Sequence, residues 1–258
     1  MVYSLRFLIL LGIFSLLNRN IDARIGGRMV QEGFEGIIRY QIKNSMGNMD
    51  SGLMPAFTEY HIKGKDISIQ MIDADGAKMA RILLNGDQST FYMIDDEART
   101  AMKVMVSDDA DEKRIGNVPE EFKEEYEKAL KEADNALESD QVDLKETGES
   151  MTIAGYECEK YIVTAETGEA FFESEVWLTE KIQVQVPDVL KDKNNPLLLF
   201  MNEKGFPLRF TGKSNSNGQS YNFEMVAVKV TPGSLNSDNF EIPADYHVSD
   251  MTSFLERK

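Results

Sequence analysis

TEYHIKGKDISIQMIDADGAKMARILLNGDQSTFYMI, residues 58–94, decides the fold class. Thr58–Lys63 and Asp66–Ile72 are strand-like runs joined through Gly64-Lys65 as a tight hairpin. Met79–Leu84 and Ser89–Ile94 flank Asn85-Gly86, the dipeptide best suited to the positive φ angles of a type I′ turn. Connections this short leave no room for a crossover helix, so neighbouring strands are expected to be antiparallel. Ile82-Leu83-Leu84 and Phe91-Tyr92-Met93-Ile94 are apolar at consecutive positions, so both faces of those strands must be covered or one must line a cavity.

The same pattern extends outward. Phe34–Lys43 precedes it, and Arg99–Val106 follows after Asp95-Asp96-Glu97. Further on come Val142–Thr147, Ser150–Ala154, Cys158–Ala165 and Ser174–Ile182, the last holding the single tryptophan, Trp177. Phe206–Lys213 and Ser220–Val230 form another hairpin across Ser214–Gly218, and Leu235–Tyr246 closes with Phe240-Glu241-Ile242-Pro243. Pro119–Glu138 breaks the rhythm: Phe122, Tyr126, Ala129, Leu130, Ala133 and Leu137 form one helical stripe, with Asn117 as N-cap and Glu120 completing a capping-box-like start. An amphipathic helix beside a sheet lays its stripe on that sheet, so this one reads as a cover. Its opposite face is strongly acidic, which reads as solvated surface. Pro187–Glu203 reads as one or two short helices broken at Asn194-Asn195-Pro196. The expectation is an α+β, mostly β fold: one antiparallel sheet of about ten or eleven strands covered by two or three helices.

The N-terminus reads as a signal peptide at residues 1–23. Arg6 is followed by the apolar run Phe7–Leu17, too short for a confident spanning helix, and Ala23 is a small residue suited to cleavage. An uncleaved anchor is the alternative, but the run ends at Asn18-Arg19-Asn20, so no stable transmembrane anchor is expected. Residues 24–258 then form a single domain with its core at about 34–246. The expected location is the periplasm or cell envelope of a Gram-negative-type bacterium, or the medium beyond it.

Composition excludes other classes. The 258 residues carry 44 Asp+Glu against 28 Lys+Arg, a net charge of −16, which repels nucleic acids and anionic lipid surfaces. Cys158 stands alone, so no internal disulfide forms; it alternates with charged residues in Tyr156–Tyr161 and reads as a small buried hydrophobe rather than a nucleophile. His61 and His247 belong to no zinc spacing. Asp73-Ala74-Asp75-Gly76 matches the start of a calcium loop, but Lys78 and Arg81 stand where anionic ligands are needed, so it reads as a turn. Asp108–Glu112 reads as a solvated acidic loop. No G-x-S-x-G, phosphate loop or G-x-G-x-x-G is present, and no cofactor is expected.

Methionine is the informative residue: eight of the 14 fall between residues 46 and 105. Unbranched, polarizable side chains suit surfaces that repack around apolar ligands, although they also fill gaps in cores. Met46, Met49 and Met54 lie in Asn44–Pro55, a loop-like stretch suited to a lid.

Three stretches together resemble a known family: Phe34–Tyr40 (FEGIIRY), Ile153–Tyr161 (IAGYECEKY) leading to Val176-Trp177-Leu178-Thr179, and Leu235–Tyr246. They resemble the bacterial domain-of-unknown-function family DUF4412, itself similar to the lipoprotein-carrier superfamily of LolA/LolB-like proteins. The resemblance spans most of residues 34–246. It implies a strongly curved antiparallel sheet, an incomplete barrel with helices plugging its mouth and an apolar hollow beneath them that holds acyl chains. It brings no catalytic residues, and the arginine on which some carriers rely has no clear counterpart here.

The leading expectation is an exported, non-enzymatic protein that binds a lipid, a lipoprotein acyl chain or another apolar small molecule in a half-barrel cavity, as a periplasmic carrier. Cavity or lid candidates are Met46, Met49, Met54, Met93, Met102, Phe122, Tyr126, Leu130, Trp177 and Phe200. The alternatives are an envelope scaffold or protein-interaction module with a filled core, and a hydrolase with a carboxylate pair in the hollow.

Overall fold

The computed structural model describes residues 33–45, 55–86, 90–105, 142–167, 170–185, 205–216 and 219–250. They form twelve strands in one open sheet. The first six are β1 (Glu35–Ser45), β2 (Phe57–Lys63), β3 (Asp66–Ile72), β4 (Lys78–Leu84), β5 (Thr90–Asp95) and β6 (Thr100–Met105). The others are β7 (Val142–Ile153), β8 (Tyr156–Thr167), β9 (Ala170–Thr179), β10 (Phe206–Ser216), β11 (Gln219–Pro232) and β12 (His247–Asp250). Their spatial order is β12-β6-β5-β4-β3-β2-β1-β11-β10-β9-β8-β7. Two antiparallel meanders, β1–β6 and β7–β11, are therefore stitched together by the antiparallel pair β1–β11.

Local chemistry explains two of the hairpins. Lys63 pairs with Asp66, which leaves the two-residue turn Gly64-Lys65 with Gly64 at φ 61°, as a short primed turn requires. At Asp73–Gly76 one carboxylate oxygen of Asp73 accepts from the backbone N–H of Asp75 (2.9 Å) and of Ala77 (2.8 Å). Those bonds make the segment the β3–β4 turn, as its sequence suggests.

Several expectations need correction. Asn85-Gly86 is not the centre of a two-residue turn, because Leu84 pairs with Phe91. Gly86 instead packs against Lys65 and donates its N–H to Asp66 Oδ1 at 2.9 Å, so tertiary contact with the neighbouring turn overrides the local preference. Val142–Thr147 and Ser150–Ala154 are one strand, β7, interrupted by a register shift between Glu146 and Ser150. β1 runs on to Ser45, paired with Asn222, into the stretch read as a loop. The sheet is not purely antiparallel, since β12 pairs parallel with β6. Among the described residues the only helix is a 3-10 turn, Ser237–Phe240, so no helical cover is seen there. The helix expected at Pro119–Glu138 lies outside the described residues, as does nearly all of Pro187–Glu203.

The core explains the uninterrupted apolar runs. Ile67 to Ile72 of β3 are all buried. One face belongs to the main core, with Ile38, Tyr40, Ile62, Ile69, Met71, Ile82, Leu84, Trp177, Phe206 and Leu208. On the opposite face the tail Leu235–Tyr246 lies over Leu83, Ile94 and Ala101, with Phe240 buried among them. A second small cluster, Tyr161, Val163, Val176 and Leu178, occupies the side of β8–β9 away from Trp177, because strand neighbours alternate.

β7 comes into contact with β11, four places away in the sheet order. Flat strands would put them about 19 Å apart, so this half of the sheet bends. The Tyr40 hydroxyl reaches past β11 to donate to the Pro207 carbonyl on β10 at 2.7 Å. Pro207 and Arg209 flank a bulge, which adds local twist where this tether lands.

Candidate functional site: apolar rows and three orphaned donors

Strand register lines up the apolar residues of β1–β6 into transverse rows. Ile38 pairs with Tyr60, Tyr60 with Ile69, Ile69 with Ile82, Ile82 with Met93, and Met93 with Met102. Beside it runs Gly36, Ile62, Ile67, Leu84, Phe91 and Val104. Five strand spacings make this apolar face about 24 Å wide. At the β1 end it merges with Trp177, Phe206, Leu208 and Ile182 in the main core. At the β6 end it terminates in buried Met93 and half-buried Met102.

Of the residues expected around a cavity, Met93, Met102 and Trp177 are described. Met93 and Met102 sit side by side on the row, whereas Trp177 lies across the sheet on β9 and shares the main core. Met46, Met49, Met54, Phe122, Tyr126, Leu130 and Phe200 lie outside the described residues. Cys158 is fully buried, and burial pushes its thiol up to about 11, consistent with a small core residue.

The opposite face of β1–β4 carries a polar row that sequence reading passed over. Arg39 pairs with Glu59, Glu59 with Gln70, and Gln70 with Arg81, while His61 pairs with Ser68 in the next row. Arg39 Nη1 donates to Glu59 Oε1 at 2.8 Å, and His61 Nε2 stands 3.5 Å from Glu59 Oε2. Arg81 Nη1 reaches the Asn239 and Glu241 carbonyls at 3.4 Å each, and its Nη2 lies 3.5 Å from Asp96 Oδ1, which also accepts from the Tyr246 hydroxyl at 3.0 Å. Arg81 thus pins the tail to the sheet. Burial is the main cause lowering the pKa of His61, with Lys78 and Arg81 adding to it against the opposing pull of Glu59. The sequence signal was there: Glu59, His61, Ser68, Gln70 and Arg81 occupy alternate positions in the middle of strands whose intervening residues are mostly apolar.

A third constellation surrounds Trp177. Lys160, Trp177 and Arg209 are directly paired on β8, β9 and β10 and so stand side by side on one face. Lys160 Nζ lies 5.7 Å from the Trp177 ring centroid and 3.5 Å from both Glu149 Oε1 and Glu175 Oε1. Arg209 Nη2 pairs with Glu224 Oε1 at 2.9 Å, and Nη1 lies 4.0 Å from Met151 Sδ on β7. Trp177 Nε1 and Arg209 Nε are buried donors with no acceptor among the described residues, and Arg81 Nε on the tail side is a third.

Where the tail meets the β2–β3 and β4–β5 turns, an open groove of about 350 Å³ is lined by Lys63, Asp66, Asn85, Gly86, Ser237, Phe240 and Glu241. Met93, Met102 and Trp177, the expected cavity residues that are described, do not border it. Among the described residues no cluster of His, Cys, Asp and Glu could hold a metal ion, and no helix is long and apolar enough to cross a membrane.

A family model described as a domain of unknown function, DUF4412, matches residues 67–246. The match begins within β3, so Phe34–Tyr40 falls outside it, while the Ile153–Thr179 and Leu235–Tyr246 stretches fall inside. No curated protein matches the chain. Two crystal forms of PNGF-II resemble the fold weakly, with TM-scores of 0.30 and 0.29 at 12% identity. Each comparison covers 86% of this chain and 32% of PNGF-II, so this chain spans about a third of that protein's length.

Proposed function

The chain belongs to the DUF4412 family, and from that premise we propose that it is an exported, non-enzymatic protein of the periplasm or cell envelope that shelters an acyl chain or similar apolar ligand. The single observation that carries this reading is the pair of apolar rows crossing six strands in register. A sheet needs an apolar inner face to fold, but parallel rows, one ending in adjacent Met93 and Met102 and the other in Phe91 and Val104, also suit a surface that repacks around a hydrocarbon chain. The chain's own tail seals the other face of β4–β6, so the ligand would lie on the row side, within a half-barrel hollow of the kind LolA/LolB-like carriers use.

The test is native mass spectrometry of the mature protein, purified without detergent from an exporting bacterial host, followed by organic extraction. A reproducible extra mass that extracts as lipid supports the carrier. A clean apo mass, together with no uptake of added fatty acids or acylglycerols, overturns it.

A second reading has its own support. Tyr40, Phe206, Ile182 and Leu208 are almost wholly buried and already fill the core between β1 and β10, as a scaffold with a filled interior requires. Failure of every apolar probe would favour that alternative.

A further inference from the structure

Trp177 and Arg209 face the same way on adjacent strands, and each buries an N–H donor that no acceptor among the described residues meets. Trp177 is only 7% exposed, so its indole N–H is removed from bulk water. Two such donors at directly paired positions are unusual, because buried donors in folded proteins nearly always find a partner. They also stand at the border of two environments. The Trp177 ring belongs to the main core that contains the apolar rows, while Lys160, Glu149, Glu175 and Glu224 form a charged surround.

We propose that these two donors form the polar subsite of the apolar ligand, receiving the neutral carbonyl oxygen of an ester or amide next to its acyl chain. This rests on the carrier reading above and adds the chemical class of the ligand. The choice of a neutral oxygen over a free carboxylate follows from the local charges. Lys160 is already shared by Glu149 and Glu175, and Arg209 Nη2 is held by Glu224 at 2.9 Å. Glu224 also meets Lys43 at 3.4 Å, so three carboxylates face three cations and no cation is left over to neutralise a ligand carboxylate. A carbonyl oxygen carries two acceptor lone pairs and no net charge, so it can satisfy both N–H groups without needing one.

The experiment uses the mature chain and the intrinsic fluorescence of Trp177, the single tryptophan. Three probes of equal chain length are titrated: a monoacylglycerol, a free fatty acid and an alkane. The monoacylglycerol is expected to shift Trp177 emission and to bind about tenfold to a hundredfold more tightly than the alkane, the difference two satisfied hydrogen bonds make. It should also bind more tightly than the fatty acid at neutral pH. Arg209→Lys keeps the charge facing Glu224 but removes Nε–H, so it should cost the monoacylglycerol about fivefold to tenfold and leave the alkane unchanged. Trp177→Phe, read by native mass spectrometry, should show the same selective loss. Equal affinity for ester and alkane, with Arg209→Lys affecting neither, overturns the subsite while leaving the carrier reading standing. Absence of binding by all three probes overturns both.

Discussion

Replacing Tyr40 by Phe tests whether the two meanders are tethered as the structure indicates. Tyr40 is 1% exposed, and its hydroxyl donates to the Pro207 carbonyl at 2.7 Å, a bond that spans β1 to β10 over β11. The ring also meets Tyr60 edge-on, with centroids 5.2 Å apart, and Phe preserves that contact and nearly all the volume. No cavity opens, so the loss is confined to the hydrogen bond and to the Pro207 carbonyl left unpaired in the core. The net bond contributes about 1 kcal/mol, and the orphaned acceptor raises the total to about 1–3 kcal/mol. Urea unfolding followed by Trp177 fluorescence reads this directly. With a slope of roughly 2–3 kcal/mol/M for a chain of this size, a loss of about 2 kcal/mol lowers the midpoint by about 0.7–1 M. Tyr60→Phe is the control, since its hydroxyl makes no hydrogen bond among the described residues; its midpoint should move by less than about 0.2 M. A Tyr40→Phe midpoint as unchanged as the control's, at equal slope, would refute the tether.

Three further expectations follow from the same structure. The pKa of His61 lies below its ordinary value of 6.5, chiefly through burial, so the unfolded chain binds a proton more readily than the fold does. Stability from this source is present above that ordinary value and is lost as pH falls through the folded one; denaturant midpoints from pH 7.5 down should decline more in wild type than in His61→Gln, and parallel curves would refute the assignment. Burial holds the Cys158 thiol at about 11, so iodoacetamide at pH 8 should leave the native protein unlabelled and label it fully in urea, as intact mass will show. Gly205 has φ 111°, and a Cβ there would collide with the Thr179 carbonyl, so Gly205→Ala should cost more than about 2 kcal/mol in urea unfolding; a neutral result would mean the β9–β10 junction relaxes freely.

Where residues a few positions apart decide the outcome, the amino-acid sequence was sufficient. The strand runs, the Gly64-Lys65 turn, the Asp73–Gly76 turn and the buried character of Cys158 all follow from side chains within a handful of positions of one another. The family likewise rests on contiguous stretches, two of which lie inside the matched region. Long-range packing decided the rest. Asn85-Gly86 favours a tight turn locally, yet Leu84 pairs with Phe91 and Gly86 docks against Lys65 and Asp66. The tail could not be placed from its own pattern, because its parallel pairing with β6 and its seat on Leu83, Ile94 and Ala101 join residues about 150 positions apart. The donors of Trp177 and Arg209 become neighbours only when β9 and β10 pair across a bulge. Periodicity tells which residues must be covered, but what covers them, and which polar atoms are left facing one another, is set by how distant strands align.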